Sequence, residues 1–324
     1  MEDYLVDLTA YTNGKNGIKE ADYFSNVLDA AKTGDKLFYM PVSFSVNGIL
    51  ADKADVRDGM TGFTFDEYAE FLYGPCNGRD PMNETQLGAL CTLYSYMSDT
   101  CIQGKEVNFD NESFRALCDY VKANVSDLSY DPNESNGYGC YYNFAEFMLV
   151  NGNNASEKTV LGYPSPDGRG PVISVGTSIG ISAEASSAVA DGAWEFIKYC
   201  LGDEVQEMIA RHDENPLSIK AFDTSAKIVL ENYNSNNINP FTFTKIEPQD
   251  EAVIAAYKNI LLSASVTDNI DPAILIVLRE ELPPYFLDQK SFDDVLKIIQ
   301  GLVTSIRLSK TSTTGLAPVI YRSW

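Results

Sequence analysis

Apolar positions recur at helical spacing in several separate windows of this chain. In TGFTFDEYAEFLYG, Phe65, Tyr68, Ala69 and Leu72 fall on one face of a 3.6-residue repeat. Thr64 stands just before them and Glu67 three places later, the reciprocal arrangement of a capping box. Residues 17–32 predict a helix packed through Tyr23, Phe24, Val27 and Leu28 and stopped by Gly34. Residues 84–98 predict another, with Leu87, Leu90, Cys91 and Tyr94 inward. In NFDNESFRALCDYVKANV a further helix centres on Phe114, Leu117, Cys118 and Val121, and NFDNES reads as its cap rather than as a metal loop. DGAWEFIKYCLGDEVQEMIAR predicts one or two helices, with Trp194 on an apolar face beside Ala190, Ile197 and Leu201. PQDEAVIAAYKNILLSA predicts one more, and DPAILIVLREELPPYFLDQ one that ends before Pro283. The last opens at Ser291 and turns Val295, Ile298, Ile299 and Leu302 inward. YYNFAEFMLVNG suits helix or strand.

Extended segments are fewer. Leu37 to Met40 and Phe44 to Leu50 read as strands with Pro41 between them, and 172–182, VISVGTSIGIS, reads as extended chain. Gly168, Gly170 and Pro171 predict a tight turn before that segment, where Gly176 and Gly180 relieve backbone crowding. The runs 124–140 and 151–156 read as loops, and TSTTGLAPVIYRSW as a tail. Helices outnumber strands and separate them, which implies α/β layering with mixed sheets. The segments near 38–50 and 172–182 bound a long central section, and each is expected to cross between two lobes.

A length of 324 residues with 44% hydrophobic content supplies a large core and suggests two domains. The formal net charge of −22 repels nucleic acid and anionic lipid alike. No run of apolar residues is long enough to span a membrane, and MEDYLVDLTAYT lacks the pattern of a secretory leader. Cys76, Cys91, Cys101, Cys118, Cys140 and Cys200 form no CxxC pair; their even number permits disulfides. Cys91, Cys118 and Cys200 sit in apolar helical patterns, which favours buried free thiols. The N-x-[ST] matches at Asn83, Asn111, Asn124, Asn133 and Asn154 carry meaning only in a eukaryotic secretory setting.

His212 is the sole histidine and lies in the polar string RHDEN, so a histidine-rich zinc site or a Ser-His-Asp triad is not expected. There is no Walker loop, no dinucleotide fingerprint and no EF-hand loop; no metal or cofactor is expected. Near Gly168 and Gly170, Pro171 lacks an N–H and Asp167 opposes an anion, which argues against a phosphate cradle. Acidic neighbours such as Glu280 and Glu281, or Asp293 and Asp294, do not share a helix face. Two acids meeting across a cleft would leave a glycoside hydrolase as the enzymatic alternative. Aromatic rings beside amides suit a sugar better. On that ground Phe44, Asn47, Tyr141, Tyr142 and Tyr163 are the candidate ligand-binding residues.

Four stretches stand in order along the chain: DYFSNVLDAAKTGDKLFYMPVSFSVNGILADKADV, TGFTFDEYAEFL, LGYPSPDGRGPVISVGTSIGIS with the following AWEFIKYCLGDEVQ, and ILIVLREELPPYFLDQKSFDDVLKIIQGLV. Together they resemble the extracellular solute-binding proteins of ABC importers, the sugar-binding type found as lipoproteins. Phe63 and Asp288 stand where that family usually has Trp and Gly. The resemblance implies a two-lobed α/β fold of the type II periplasmic-binding-protein kind, with hinge strands and a ligand cleft. Lobe one is expected over 1–44 and 176–265, lobe two over 45–175 and 266–310, and a tail over 311–324. It implies non-catalytic capture of an oligosaccharide or similar solute by a monomer and delivery to ABC permease subunits. It also implies a cell-surface lipoprotein whose N-terminal section, bearing leader and anchor, is not in this chain. A carbohydrate-binding or adhesion module that reuses the fold is the remaining alternative.

Overall fold

The computed structural model describes residues 4–104, 106–128, 130, 138–141, 143–212, 214–266 and 271–312; side chains are described through Leu308, with those of 138–141 left out. The chain divides into two compact units, Met1–Asn83 with Pro132–Asp268, and Glu84–Asp131 with Asn269–Trp324. These boundaries differ from the lobes expected from the sequence.

The first unit begins with α1 (Thr9–Thr12), α2 (Ser25–Ala30), β1 (Tyr39–Pro41), β2 (Ser43–Asp52), β3 (Gly62–Thr64) and α3 (Phe65–Tyr73). The second unit then takes α4 (Gln86–Met97), the antiparallel pair β4 (Ile102–Gln103) and β5 (Glu106–Val107), and α5 (Glu112–Asn124). The chain resumes the first unit with β6 (Tyr138–Tyr141), α6 (Phe144–Asn151), β7 (Lys158–Ser165), β8 (Val172–Val175) and β9 (Ser178–Gly180). It continues through α7 (Ser187–Cys200), α8 (Asp203–His212), β10 (Asn215–Pro216), α9 (Ile219–Ser235) and α10 (Ala252–Ser263). The second unit closes with α11 (Pro272–Glu281), α12 (Pro283–Phe286) and α13 (Phe292–Ser312).

A six-stranded mixed sheet organises the first unit around β2. One edge of β2 pairs antiparallel with β8 and then β7; the other pairs with β10 and then β6. Strand β3 adds a parallel neighbour to β7. The two extended segments singled out in the sequence therefore pair with each other: Phe44 lies opposite Val175, and β1 runs antiparallel to β9. Side chains alternate across a strand. One face of the sheet turns Phe44, Val46, Val160 and Ile173 into a core shared with Phe24, Phe147, Phe222 and Tyr257. Edge-on, tilted and stacked ring contacts at 4.9–6.0 Å fill that core.

Several expected helices change at their edges for identifiable reasons. The segment 17–32 is helical only over Ser25–Ala30, after a 3-10 turn at Glu20–Asp22. Backbone pairing with the 217–218 segment holds Tyr23 and Phe24 extended, and the Phe24 N–H donates to the Leu217 carbonyl at 3.0 Å. The 187–212 stretch is two helices, and Trp194 is buried with its indole N–H donating to the Asn16 carbonyl at 3.2 Å. Within YYNFAEFMLVNG, Phe144–Asn151 is helix α6, capped by Asn143, and Tyr141 ends strand β6. In α4 the inward face is Ala89, Leu90, Leu93, Tyr94 and Met97, while Leu87 and Cys91 are half-buried. In α13, Ser291 caps the Asp294 N–H as expected, but the buried stripe is Phe292, Val295, Leu296, Ile299 and Val303. Leu302 is 42% exposed. Asn111 caps α5 through the Phe114 N–H at 2.8 Å, which makes NFDNES a helix start. The tail beyond residue 312 lies outside the described residues.

The capping box of α3 forms in full. The Glu67 N–H donates to Thr64 Oγ1 at 3.2 Å, and the Thr64 N–H donates to Glu67 Oε2 at 3.0 Å. That backbone bond, with the Arg57 guanidinium on the other oxygen, holds the Glu67 carboxyl below its ordinary pKa. A depressed carboxylate stabilises above its unfolded pKa and loses that contribution as pH falls through its folded value. Thr64→Ala should cost about 1 kcal/mol at neutral pH in urea denaturation, Thr64→Ser much less. The penalty should shrink as Glu67 is protonated.

The five cysteines with described side chains, Cys76, Cys91, Cys101, Cys118 and Cys200, are free thiols. Burial raises the pKa of Cys101 and Cys118, which leaves little thiolate to react. In Ellman titration at pH 8 both should stay unmodified in the native protein and react fully once it is unfolded in guanidinium.

Candidate functional site

Strand β2 carries polar residues at alternate positions: Ser43, Ser45 and Asn47 share the face opposite Phe44 and Val46. Their partners come from the strands that flank β2. Asn47 Nδ2 donates to Ser174 Oγ at 2.8 Å, and Ser174 lies directly across from Ser45. Ser43 Oγ donates to a Glu214 carboxylate oxygen and accepts from the Thr177 N–H at 2.9 Å. Glu214 reaches that position because β10 begins at the next residue and pairs Asn215 with Phe44 and Pro216 with Ser43.

Gly176 makes room for this carboxylate. A Cβ at position 176 would lie 1.8 Å from Glu214 Oε2, so any side chain there displaces the acid. Beside it, the wholly buried Gln206 of α8 donates to the carbonyls of Val42 and Cys200, each at 3.0 Å. Its own oxygen accepts from the Ser218 N–H at 2.8 Å. The Tyr257 hydroxyl donates to Asn215 Oδ1 at 3.0 Å. These bonds fix the backbone on which Ser43 and Glu214 stand. Ser43 and Ser45 are buried, while Asn47 and Glu214 are half-buried, so within this stripe the amide and the carboxylate are the groups with surface left for a polyhydroxylated ligand.

The expected ligand residues fall in different places. Asn47 belongs to the stripe. Phe44 is 0% exposed and packs edge-on to Phe24 at 5.5 Å. It stands three positions before Asn47, an odd offset, so the pleat points the two to opposite faces, and Phe44 fills core. Tyr163 is buried in β7; it shares the parity of Leu161, whose partner Ile49 lies on the Asn47 side of β2. The backbone of Tyr141 pairs opposite Val46 in β6, while its side chain and all of Tyr142 lie outside the described residues. Ser43, Ser45, Ser174 and Glu214 were not anticipated. The alternation in SFSVN carried a signal for the first two; nothing local marks Glu214, 171 residues from the Ser43 it bonds.

The arrangement offers no acid–base pair around a histidine, since His212 sits exposed at the end of α8. Among the described residues no group of three or more His, Cys, Asp and Glu side chains is placed to hold a metal ion. No described helix is long and apolar enough to cross a membrane.

No protein-family model and no curated protein sequence matches the chain. Solved structures do. The sugar-binding protein MalE from Xanthomonas citri superposes with a TM-score of 0.62 at 16% identity, over 97% of this chain and 82% of that one. A putative oligosaccharide periplasmic-binding protein from Synechococcus sp. MITs9220 gives 0.56 at 15% identity, over 95% and 82%. The cyclic alpha-maltosyl-1,6-maltose binding protein from Arthrobacter globiformis gives 0.54 at 15% identity, over 94% and 80%. The central sheet lies wholly within the first unit, so the segments 38–50 and 172–182 pair there rather than cross between units; the likenesses establish that the chain has the two-lobed α/β fold of type II periplasmic binding proteins.

Proposed function

We propose that this chain is a non-catalytic solute-binding protein that captures a carbohydrate or similar polar solute outside the cytoplasm and delivers it to an ABC permease. The observation that carries this reading is the polar stripe on β2. It places Ser43, Ser45, Asn47 and Glu214 along the strand that pairs with the return segment 172–180. In this reading Asn47 and Glu214 bond solute hydroxyls. Tyr141, Tyr142 and Tyr163 supply flat apolar faces to the ligand. The names of the solved relatives, a sugar-binding MalE and binding proteins for oligosaccharides, support the solute class. A surface at −22 keeps such a protein soluble and apart from nucleic acid.

Calorimetric titration against a carbohydrate panel should show saturable binding of at least one saccharide. No binding of any saccharide on the panel would overturn the sugar reading. Asn47→Ala should weaken binding about tenfold, the worth of one to two hydrogen bonds, with an unchanged melting temperature. Gly176→Ala should weaken binding by displacing Glu214. Phe44→Ala should act on folding instead, lowering stability by about 3–5 kcal/mol in urea.

A further inference from the structure

The first unit holds a cavity of about 290 Å³ that the stripe residues do not line. One wall is the connector between β2 and β3, residues 53–61, and the opposite wall is the C-terminal half of α10. Ile260 and Ala256 of α10 are buried and, with Val56 and Met60, form an apolar patch. Around this patch stand Lys53, Arg57, Thr159 and Asn259. Gly59, at φ +73°, turns the connector back toward β3 and closes the rim.

The charges here run against the rest of the molecule. The chain is at −22, yet two cations and one acid, Asp58, line this cavity. Lys53 Nζ donates to the Ser156 carbonyl at 2.8 Å, a neutral partner rather than an acid. Arg57 gives one nitrogen to Glu67 at 2.8 Å and is otherwise 71% exposed. Glu67 is itself engaged in the α3 capping box. Thr159 and Asn259 make no side-chain hydrogen bond among the described residues, so their donors and acceptors face the cavity uncommitted. The volume sits at the small end of ligand sites, the size of one sugar ring rather than a chain of them.

We propose that this cavity is a second binding site, for a monosaccharide-sized polyhydroxy compound bearing one anionic group. The anion lies toward Lys53 and Arg57. Hydroxyls bond Thr159 and Asn259, and the C–H face of the ring rests on Ala256 and Ile260. The site is separate from the β2 stripe, so it stands or falls independently of the solute captured there.

Calorimetry and saturation-transfer NMR with glucuronate, glucose 6-phosphate, glucose and inorganic phosphate test the assignment. Glucuronate and glucose 6-phosphate should both bind, and glucose at least tenfold more weakly. Binding by only one of the two anions still places the site and names its source as carboxylate or phosphate. Lys53→Ala and Arg57→Ala, both exposed positions, should each weaken the anionic sugars at least fivefold with an unchanged melting temperature. Ala256→Trp should fill the cavity and abolish their binding, whereas Asn47→Ala should leave it unaltered. The proposal is overturned if neither anionic sugar binds, if glucose binds equally well, or if inorganic phosphate alone matches glucose 6-phosphate. Loss of binding in Asn47→Ala with retention in Lys53→Ala would move the ligand to the stripe and overturn it equally.

Discussion

The first unit depends on one strand being hydrogen-bonded along both edges. Strand β2 is ten residues long, and four other strands share its backbone donors and acceptors. A strand so placed has no free edge, and its register is locked from both sides. A slip of one residue would turn Phe44 and Val46 out of the core and bury the Ser43, Ser45 and Asn47 face in their place. The positions of the polar stripe thus follow from the same ladders that hold the core, and the stripe inherits their rigidity.

That rigidity extends outward through buried polar groups that are satisfied rather than avoided. Gln206 is wholly buried and uses both its donor and its acceptor capacity to join α8, the start of β2 and the N-terminus of α9. Such a side chain is costly to bury without partners and specific once it has them. In the second unit a different device operates. Arg115 and Lys122 of α5 lie over the rings of Phe292 and Tyr285, each at 4.2 Å, while pairing with Asp293 and Asp288. Charge and ring contacts here clasp α5 to the α12–α13 connection, over an apolar core that includes Phe114, Leu117, Val295 and Ile299.

Where the sequence was legible, the information was local. The capping boxes and caps at Thr64, Asn111 and Ser291 form as read, because a cap needs only residues within one turn of each other. Faces were less secure. In α13, Ile298 and Leu302 are as apolar as Ile299 and Val303, so periodicity leaves two overlapping stripes; packing against α11 selects one of them. Phe44 and Asn47 were both candidates from one extended segment; the pleat points them to opposite faces, Phe44 into the core and Asn47 into the polar stripe. Glu214 was invisible, since its role depends on β10 pairing with β2.

By itself the sequence determined the elements, their caps, the α/β class and the absence of the motifs that histidine, phosphate or metal chemistry requires. These follow from spacing, side-chain type and charge, which act over a few residues or over the whole composition. Only the tertiary structure decided which strands pair, and therefore which side chains share a face. It alone set Glu214 against Ser43 and left Gly176 no space for a side chain. Strand pairing joins residues far apart in the chain, and no local pattern encodes the register between them.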